Sequence, residues 1–500
     1  MRQLITIFVL AMFVSMAKAQ TATIQGGATY GTVSEALMNA NPNDIILISG
    51  TITDEITIDK NITLRGTDPA SDILQGAASA SQTGTAKRVI SISSGAFTIN
   101  IENLGIRHGN VNANGGGIDI DKVTGLVTLK NLIIENNYTS ANGGAIGIAG
   151  SNVDVIQCTV RNNTAAADGR AIIAAPNNAA GINNVVNIKQ SLIDSNIGRN
   201  GGGIYINGNV NFGNNYLINV NIENSTISNN DASSASSNSG GGAIFSASRP
   251  WTVDTNIGNI TLRLVHATLY GNTHDSADKS GIQFGTAKVT NFSAYNSIAV
   301  SFTNDVLTKA INFANANTVQ VKNCILGGLA NPDTTFLDDG SRNNLRGKTA
   351  SEAGLTGVLT SLGGKTQVIP ILEDASVADD FCTAVVGEVT LPTIDQRGAT
   401  REGTPDAGAH EFGVTLSSKS ISENNAFRIY PNPTKGLLYI KSINTLKEVA
   451  IYDMTGKNVF RSQKVYDNSL DVSNLNTGLY TLKIEDSQSN VGTQKLVISR

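Results

Sequence analysis

The chain has 500 residues, of which only 15% are charged and 50 are glycine, and its formal net charge is −4. This length allows one large domain and an accessory domain, and the low charge with abundant glycine is typical of a β-rich chain. No basic block occurs, which argues against binding to nucleic acid or to an anionic membrane.

Residues 1–19 have the pattern of a secretory signal peptide. Arg2 supplies the basic start, residues 4–14 are apolar, and residues 17–19 form a small-x-small motif, so cleavage is predicted between Ala19 and Gln20. The apolar run is too short to span a bilayer. No transmembrane segment is expected in the mature chain.

A short amphipathic helix is predicted after the cleavage site. Val33, Ala36, Leu37 and Ala40 recur at helical spacing, and Thr32 is a suitable N-cap. We expect this helix to cap the end of a solenoid, whose strand edges and core would otherwise be exposed. The helix and the short apolar runs that follow it resemble the opening of pectate-lyase-like β-helix proteins.

The centre of the chain repeats a tetrad that ends in a branched aliphatic residue. The copies recur at intervals of 26 to 42 residues, a range typical of solenoids. Short aliphatic strands cannot bury one face alone, but stacked coils can. The tetrads are Asn103-Leu-Gly-Ile106, Asn131-Leu-Ile-Ile134, Gln157-Cys-Thr-Val160, Gln190-Ser-Leu-Ile193, Asn224-Ser-Thr-Ile227, His266-Ala-Thr-Leu269, Tyr295-Asn-Ser-Ile298 and Lys322-Asn-Cys-Ile325.

Glycine and asparagine alternate with the tetrads. Both residue types accept a positive φ and so suit the corners between strands, and asparagine amides at one corner can stack from coil to coil. The Gly-Gly-Ala/Gly-Ile motifs begin at Gly115, Gly143, Gly201 and Gly241, with a degenerate copy at Gly169, and the corner asparagines are Asn136-Asn137, Asn162-Asn163, Asn196, Asn229-Asn230 and Asn272.

These patterns predict an all-β chain, with a right-handed parallel β-helix over residues 20–326. The apolar runs are too short and too rich in β-branched residues for a helical solenoid. The alternation over about residues 100–285 resembles the polymorphic outer membrane protein repeat. That resemblance implies a surface-exposed and often adhesive solenoid.

Two positions are weak candidates for a functional site. Asp119 and Asp121 alternate along one predicted strand and therefore share a face, which is either an exposed polar strand or a catalytic or Ca²⁺ site. The equivalent positions in the next coil are Gly147 and Ala149, so a groove of acids over several coils is poorly supported. Trp251 could stack on a sugar or simply cover the end of a coil.

No metal site or cofactor other than that Ca²⁺ is predicted. The four histidines His108, His266, His274 and His410 lack metal-ligand spacing. The three cysteines Cys158, Cys324 and Cys382 are expected to be buried thiols.

Residues 327–413 differ in composition and are predicted to form the terminal coils. The blocks at residues 393–401 and 406–411 resemble the end of the choice-of-anchor Q domain of bacterial β-helix proteins, which precedes interchangeable anchors. Arg397 and Arg401 are expected to pair with Asp406 and Glu411 and so tie down the last turn. Catalysis by these carboxylates is the alternative.

A polar linker, residues 414–426, leads to seven short alternating blocks over residues 427–500. They predict a small immunoglobulin-like β-sandwich. The blocks closely resemble the type A C-terminal sorting domain of the type IX secretion system. This implies that the secretion machinery is a partner and that the protein is secreted or attached to the surface of a Gram-negative bacterium.

Two functions remain open. The first is an adhesin-like protein that binds glycans or a host or cell surface. The second is a polysaccharide lyase or glycoside hydrolase of the pectate-lyase-like superfamily. A passive surface-layer role is a third reading, and the sequence does not identify a ligand.

Overall fold

The chain forms two compact units, Met1–Thr415 and Leu416–Arg500. The computed structural model describes residues 18–499 with these gaps: 84–86, 168, 170, 177–182, 210–216, 233–239, 250–259, 275–280, 285–289, 301–308, 313–315, 330–342, 373–375, 384, 387–388, 415–426, 443–444, 454–456, 463–468 and 487–490.

The first unit is a parallel β-solenoid built from three long sheets. Sheet 1 has twelve described strands: Thr29–Tyr30, Thr21–Ile24, Ile45–Ser49, Ile62–Arg65, Ile99–Glu102, Leu126–Lys130, Asn152–Ile156, Asn184–Lys189, Ile218–Glu223, Ile260–Val265, Thr290–Tyr295 and Thr318–Lys322. Sheet 2 has ten short ones: Thr51–Thr53, Ile73–Gln75, Gly105–Arg107, Ile133–Glu135, Thr159–Arg161, Leu192–Asp194, Thr226–Ser228, Thr268–Tyr270, Ile298–Val300 and Ile325–Leu326.

Sheet 3 also has ten described strands. They are Ile56–Ile58, Ile90–Ile92, Ile118–Asp121, Ile146–Ala149, Ile172–Ala175, Ile204–Asn209, Ile244–Arg249, Ile282–Phe284, Lys309–Asn312 and Gly328–Leu329. Two-residue strands pair between sheets 2 and 3: Asn110–Val111, Tyr138–Thr139, Thr164–Ala165, Asp231–Ala232 and Thr273–His274. Each coil crosses sheets 1, 2 and 3 in turn, so successive coils pair in parallel.

The tetrads form one buried column in sheet 2, which confirms the predicted alignment for the first six. Ile106, Ile134, Val160, Ile193, Ile227 and Leu269 pair in register one above the next. The predicted register is wrong by one residue in the last two coils, where Leu269 pairs with Ala299 and Ala299 with Leu326.

The backbone explains this shift. The first residue of each coil's tetrad has a positive φ, and in the last two coils that residue is Asn296 (φ 50) or Asn323 (φ 52). The tetrads there begin one residue later than predicted. Ile298 and Ile325 consequently point outward, and they are buried by another part of the chain.

A ladder of asparagines, buried in all but the last coil, runs along one inner corner, as predicted. In each step the Nδ2 of one residue donates to the Oδ1 of the next at 2.9–3.0 Å. The same Oδ1 also accepts the preceding corner's backbone N–H. Buried amide groups require hydrogen-bond partners, and the ladder provides them across five consecutive coils. Its members are Asn137, Asn163, Asn196, Asn230 and Asn272.

The paired glycines meet two different needs. Gly241 has a φ of +75, which favours glycine. A Cβ on Gly242 would lie 2.4 Å from the carbonyl oxygen of Thr273 in the next coil. The third position of the motif is alanine at Ala145 and Ala243, whereas a Cβ on Gly203 would lie 2.6 Å from the Ala243 carbonyl oxygen.

The N-terminal end of the stack is covered by helix α1, Val33–Asn39. The Thr32 hydroxyl accepts a hydrogen bond from the Glu35 N–H at 3.2 Å and caps the helix. The side chains of Val33, Ala36 and Leu37 are buried in the solenoid core. Burial of this apolar face holds the short helix in place.

Residues 343–414, here called the return segment, fold back along the outside of the stack. Leu345 makes one parallel bridge with Ile325, and the segment then packs on the outer face of sheet 2. Its Leu355, Ile369 and Ile371 share a core with Ile298 and Ile325, among others. Its other described pairings are antiparallel and lie within the segment, so it does not continue the coils: a short hairpin joins Val385–Val386 to Val389–Thr390, and isolated bridges join Leu355 to Ile371, Thr360 to Val368 and Ile394 to Thr400.

The second unit is a small antiparallel β-sandwich. One sheet contains Phe427–Tyr430, Leu437–Ser442 and Ser469–Asp471, and the other contains Asn458–Ser462, Leu446–Tyr452, Gly478–Asp486 and Val491–Ile498. Leucine, isoleucine and valine side chains from both sheets form its core. The predicted fold class, an all-β solenoid followed by a small sandwich, is confirmed.

Candidate functional site

Asp119 and Asp121 lie on the outer face of sheet 3, where Ile118 and Ile120 point inward. The Asp119 carboxylate lies 3.5 Å from the Arg88 guanidinium. Burial raises the pKa of Asp119 to about 6, against the opposing effect of Arg88. A carboxyl with such a pKa beside a fixed arginine could act as a general acid or base.

Arg88 is held in place by the chain around it. Its Nε donates to the Gly115 carbonyl at 3.0 Å, and its two terminal nitrogens donate to Ser91 Oγ at 3.0 Å and to the Asn114 carbonyl at 2.8 Å. These bonds fix the guanidinium over Asp119. The arrangement is rigid, which suits either a structural pair or a positioned catalytic group.

The acidic pair does not extend to neighbouring coils. Asp119 pairs in register with Ser91 and Gly147, and Asp121 with Ala149. Asp121 is more exposed than Asp119 and lies 3.8 Å from its neighbour Lys122. Hydrolysis by paired acids on facing coils therefore has no support at this position.

A second set of polar residues, which the sequence analysis missed, lies outside sheet 2. Gln75, Arg107, Glu135, Arg161 and Asp194 pair in register on five successive strands. Adjacent strands are about 4.8 Å apart, so these residues form a straight row, here called the sheet 2 ladder. In four of the five strands the ladder residue directly follows the aliphatic end of a tetrad.

Neighbouring members of the ladder are linked. The Arg107 Nε donates to Gln75 Oε1 at 3.1 Å, and the Arg161 Nε donates to Glu135 Oε2 at 2.8 Å. Two cations and two anions alternate, so the row has no net charge. A guanidinium has five N–H donors, and one bond each leaves Arg107 and Arg161 with donors toward solvent.

The ladder is bounded at one end by the return segment. Asp194 is buried and accepts hydrogen bonds from the hydroxyls of Ser195 (2.7 Å) and Ser228 (2.6 Å). Towards the N-terminal coils, the hydrogen bonds described for the return segment reach as far as Gln190, whose Nε2 donates to the Asp395 carbonyl at 3.3 Å. The outer face of sheet 2 is therefore covered in the later coils, whereas Arg107, Glu135 and Arg161 are only partly buried.

The return segment holds a second charged cluster, which is buried. Arg401 forms the expected ion pair with Glu411, with 2.7 Å between Nη1 and Oε2. The predicted pairing of Arg397 with the carboxylate of Asp406 or Glu411 is wrong. Its Nε lies 2.7 Å from Asp395 instead, because the turn at residues 395–399 folds the two side chains together.

Asp406 has a different role from the predicted one. Its two carboxylate oxygens accept the backbone N–H groups of Asp380 (2.8 Å) and Phe412 (2.5 Å). Burial raises the pKa of Asp406 to about 7, although the Phe412 hydrogen bond opposes this effect. Burial also lowers the pKa of His410 to about 4. These groups lie inside the segment, where a polymeric substrate has no access.

The cluster joins the return segment to the solenoid. Arg401 Nη2 donates to Asn224 Oδ1 at 3.1 Å, and Thr226 Oγ1 donates to Gln396 Oε1 at 2.7 Å. The Ala409 N–H donates to Thr268 Oγ1 at 2.9 Å. The polar and charged residues of this cluster therefore hold the return segment against the solenoid.

The remaining candidates give no further site. Trp251 lies outside the described residues. Cys158, Cys324 and Cys382 are free and buried, and burial raises the pKa of each thiol. Among the described residues, no group of three histidine, cysteine or acidic side chains could hold a metal ion.

Comparison with known proteins gives one family match. Residues 428–499 match the family described as "Secretion system C-terminal sorting domain". A search of curated proteins gave no match. Within the part of the chain that the structure describes, no helix is both long and apolar enough to cross a bilayer.

A solved structure described as a PL6 family alginate lyase is similar at 13% identity, with a TM-score of 0.24. The match covers 81% of this chain and 59% of the length of that structure. The C-terminal unit gives the clearer result. The chain ends in a secretion system C-terminal sorting domain, which implies that the type IX secretion machinery handles it as a secreted or cell-surface protein.

Proposed function

We propose that this is an exported, surface-displayed solenoid that binds a polysaccharide of low charge along the sheet 2 ladder. The observation that carries the proposal is the row of partly exposed Arg107, Glu135 and Arg161 on successive coils. A row with a regular step is suited to a ligand that also repeats, because each coil can offer one hydrogen-bonding group to each unit of the polymer.

The charge pattern favours a neutral polymer over a polyanion. Arg161 is neutralised by Glu135 at 2.8 Å, and the two anions of the ladder balance its two cations. A polyuronate would meet repulsion from the partly exposed Glu135, since interfaces select partners of complementary potential. Hydroxyl groups can instead donate to carboxylates and accept from guanidiniums.

Paired variants test this proposal with a matched control. The control pair is Arg65–Glu102 on sheet 1, since its separation is 2.6 Å and its exposures are 40% and 22%, against 40% and 20% for Arg161–Glu135. We expect Glu135→Ala with Arg161→Ala to weaken binding to the best glycan of an array at least tenfold. Arg65→Ala with Glu102→Ala should leave it unchanged. Equal effects of the two pairs, or no glycan or cell-surface binding by the intact protein, would contradict the proposal.

A polysaccharide lyase or hydrolase acting at Asp119 is the second candidate. It is favoured by the raised pKa of Asp119 next to the fixed Arg88. Assays for unsaturated uronides and for new reducing ends on a panel of polysaccharides would detect it. Activity that disappears in Asp119→Ala with Asp121→Ala would establish the site, and inactivity on the whole panel would eliminate this candidate.

The finer steps of export are part of the same proposal. We propose signal-peptide cleavage after Ala19, removal of the sorting domain near residues 414–426, and then attachment to the outer membrane or release. A chain that ends at Thr415 should remain in the periplasm, whereas the full chain reaches the cell surface. Surface display of the shortened chain would show that the sorting domain is not required.

A further inference from the structure

Three consecutive members of the sheet 2 ladder are accessible, and the members at its two ends are not. Gln75 and Asp194 are 6% and 7% exposed, whereas Arg107, Glu135 and Arg161 are partly exposed. The strands that carry these three residues are successive, so the accessible stretch spans about 10 Å from the first strand to the last. A ligand that follows the ladder is limited to this stretch.

A second outward-facing column runs beside the ladder, two residues earlier on each strand, and it shows that both ends are covered. Within it, Ile133 and Thr159 are partly exposed. Ile73 and Leu192 also point away from the solenoid core, yet they are 6% and 1% exposed. Atoms outside the sheet therefore cover the column on either side of Ile133 and Thr159. The column consists of Ile73, Gly105, Ile133, Thr159 and Leu192.

On the N-terminal side, the cover is the turn at residues 67–71. Gly105 faces outward, because its neighbour Ile106 belongs to the buried core. A Cβ on Gly105 would lie 2.7 Å from the Pro69 carbonyl oxygen, so the turn lies directly on the outer face of this strand. It forms a wall on one side of Ile133.

On the C-terminal side, the cover is the return segment. Gln190 Nε2 donates to the Asp395 carbonyl at 3.3 Å, and Thr366 Oγ1 donates to the Gln190 carbonyl at 3.0 Å. Gln190 lies two residues before Leu192 in the same coil, so the return segment contacts the coil in which this outward leucine is buried. It forms a second wall, beyond Thr159.

We propose that the accessible stretch of the ladder is a closed site that recognises the end of a neutral glycan chain and not its interior. With one sugar unit on each coil, the three accessible ladder residues correspond to about three units. A chain interior lying along the row would have to pass through both walls. A chain end can lie between them while the rest of the chain leaves toward solvent. This inference rests on the proposed function and adds the length and the part of the ligand that is bound.

Ile133 supplies an apolar surface inside this site. It lies two residues before Glu135 on one strand, so both side chains stand on the same face of sheet 2. Thr159 lies in register with Ile133 on the next coil and adds a hydroxyl group. A sugar ring has C–H groups on its faces and hydroxyl groups at its edge. An isoleucine beside charged donors and acceptors is suited to such a ring.

A series of ligand lengths provides the test. Neutral gluco-, manno-, galacto-, xylo- and N-acetylchito-oligosaccharides of one to eight units would be titrated into the full chain by calorimetry. We expect the Kd of the series that binds to fall up to about three units and then to stay constant within about twofold. A Kd that falls with every further unit would indicate an open groove and overturn this inference alone. Absence of binding by every series would overturn it together with the proposed function.

Two isoleucine variants provide a matched control for the position of the site. Ile133→Ala should weaken binding of the trisaccharide about fivefold or more. Ile156→Ala removes a partly exposed isoleucine from the outer face of sheet 1 and should leave the Kd unchanged. Both variants should keep the melting temperature of the wild type, since neither side chain lies in the core. Equal Kd values for the two variants would overturn the assignment.

The stoichiometry on long polymers gives an independent measurement. Polymers of the same sugar but of increasing length would be mixed with excess protein, and the number of protein molecules bound to each chain would be counted by light scattering. Recognition of chain ends predicts a number that does not change with length. A number that grows in proportion to length would show binding to chain interiors and overturn the inference.

Discussion

Replacing Arg401 with methionine should release the return segment from the solenoid. Arg401 is almost fully buried, and in the described structure its guanidinium donates five hydrogen bonds, including those to Glu411 and Asn224. Methionine keeps much of the apolar stem but removes every donor. The Glu411 side chain, 4% exposed, would then be a buried carboxylate without its cation.

The cost follows from desolvation. Removing one partner of a buried ion pair costs about 3–5 kcal/mol, whereas an exposed pair contributes about 0–1 kcal/mol. Because the return segment packs outside the coil stack, the loss should appear as local opening of the segment. A loss of about 3 kcal/mol corresponds to hydrogen exchange roughly a hundredfold faster.

Hydrogen-exchange mass spectrometry of the full chain is the appropriate assay. Amides of residues 395–411 should exchange faster in Arg401→Met, and Arg65→Met, at an ion pair on the solenoid surface, is the control. Adding Glu411→Gln should recover part of the protection, because it removes the unpaired charge. If Arg401→Met exchanges no faster than Arg65→Met, the cluster does not hold the segment and the reasoning fails.

Three further predictions concern the interior, the pH dependence and the coil corners. Asn196→Ala removes a step of the asparagine ladder and leaves buried amides unpaired, so it should lower the unfolding free energy by about 3 kcal/mol or more. Asn100→Ala, which loses one 3.4 Å bond, should cost less than about 1 kcal/mol, and equal losses in denaturant titrations would contradict this. The folded-state pKa of Asp406 is raised from 3.8 to about 7, so its stabilising contribution is full below pH 3.8 and is lost as the pH rises through 7. The stability of the wild type relative to Asp406→Asn should therefore fall by up to ~4 kcal/mol across this range, and a flat or rising difference would refute the assignment. Gly242→Ala places a Cβ 2.4 Å from the next coil and should lower the melting temperature more than Gly31→Ala, where φ is not positive and the nearest atom, Glu35 Oε2, is 4.0 Å away.

The sequence predicts the solenoid because its signal is local and repeated. Every coil carries its own aliphatic column and its own corner residues, and neighbouring coils therefore align without knowledge of the rest of the chain. The register error in the last two coils has the same origin. Alignment on the aliphatic residue selected Ile298, but the corner at Asn296 sets the register and makes Ala299 the inward residue.

The return segment could not be predicted in this way. Its contacts join residues far apart in the sequence, such as Thr226 with Gln396, which are separated by 170 positions. No local period encodes such a pairing. Arg397 illustrates the opposite error, since its partner Asp395 is only two residues away and a search for pairs across the segment overlooked it.

Only part of the candidate site could be predicted from the sequence, for a related reason. The ladder could have been found by reading the residue after each tetrad, which gives Arg107, Glu135, Arg161 and Asp194. The sequence could not show which members of the sheet 2 ladder are accessible to a ligand. That depends on the coverage of sheet 2 by the return segment, which begins near Gln190.

The difference in burial between the sheet 2 ladder and the charged cluster of the return segment supports a binding role for the first and a structural role for the second. Arginines and carboxylates occur both in the ladder and in the return segment, so residue type does not distinguish a binding surface from a docking cluster. Desolvation does: the Arg401–Glu411 pair is 1% and 4% exposed, and all its donors are committed to the fold. The Arg161–Glu135 pair keeps contact with water, and water can be exchanged for ligand hydroxyls at small cost. Substitutions in the ladder should therefore change binding without changing stability, and substitutions in the return segment should do the reverse.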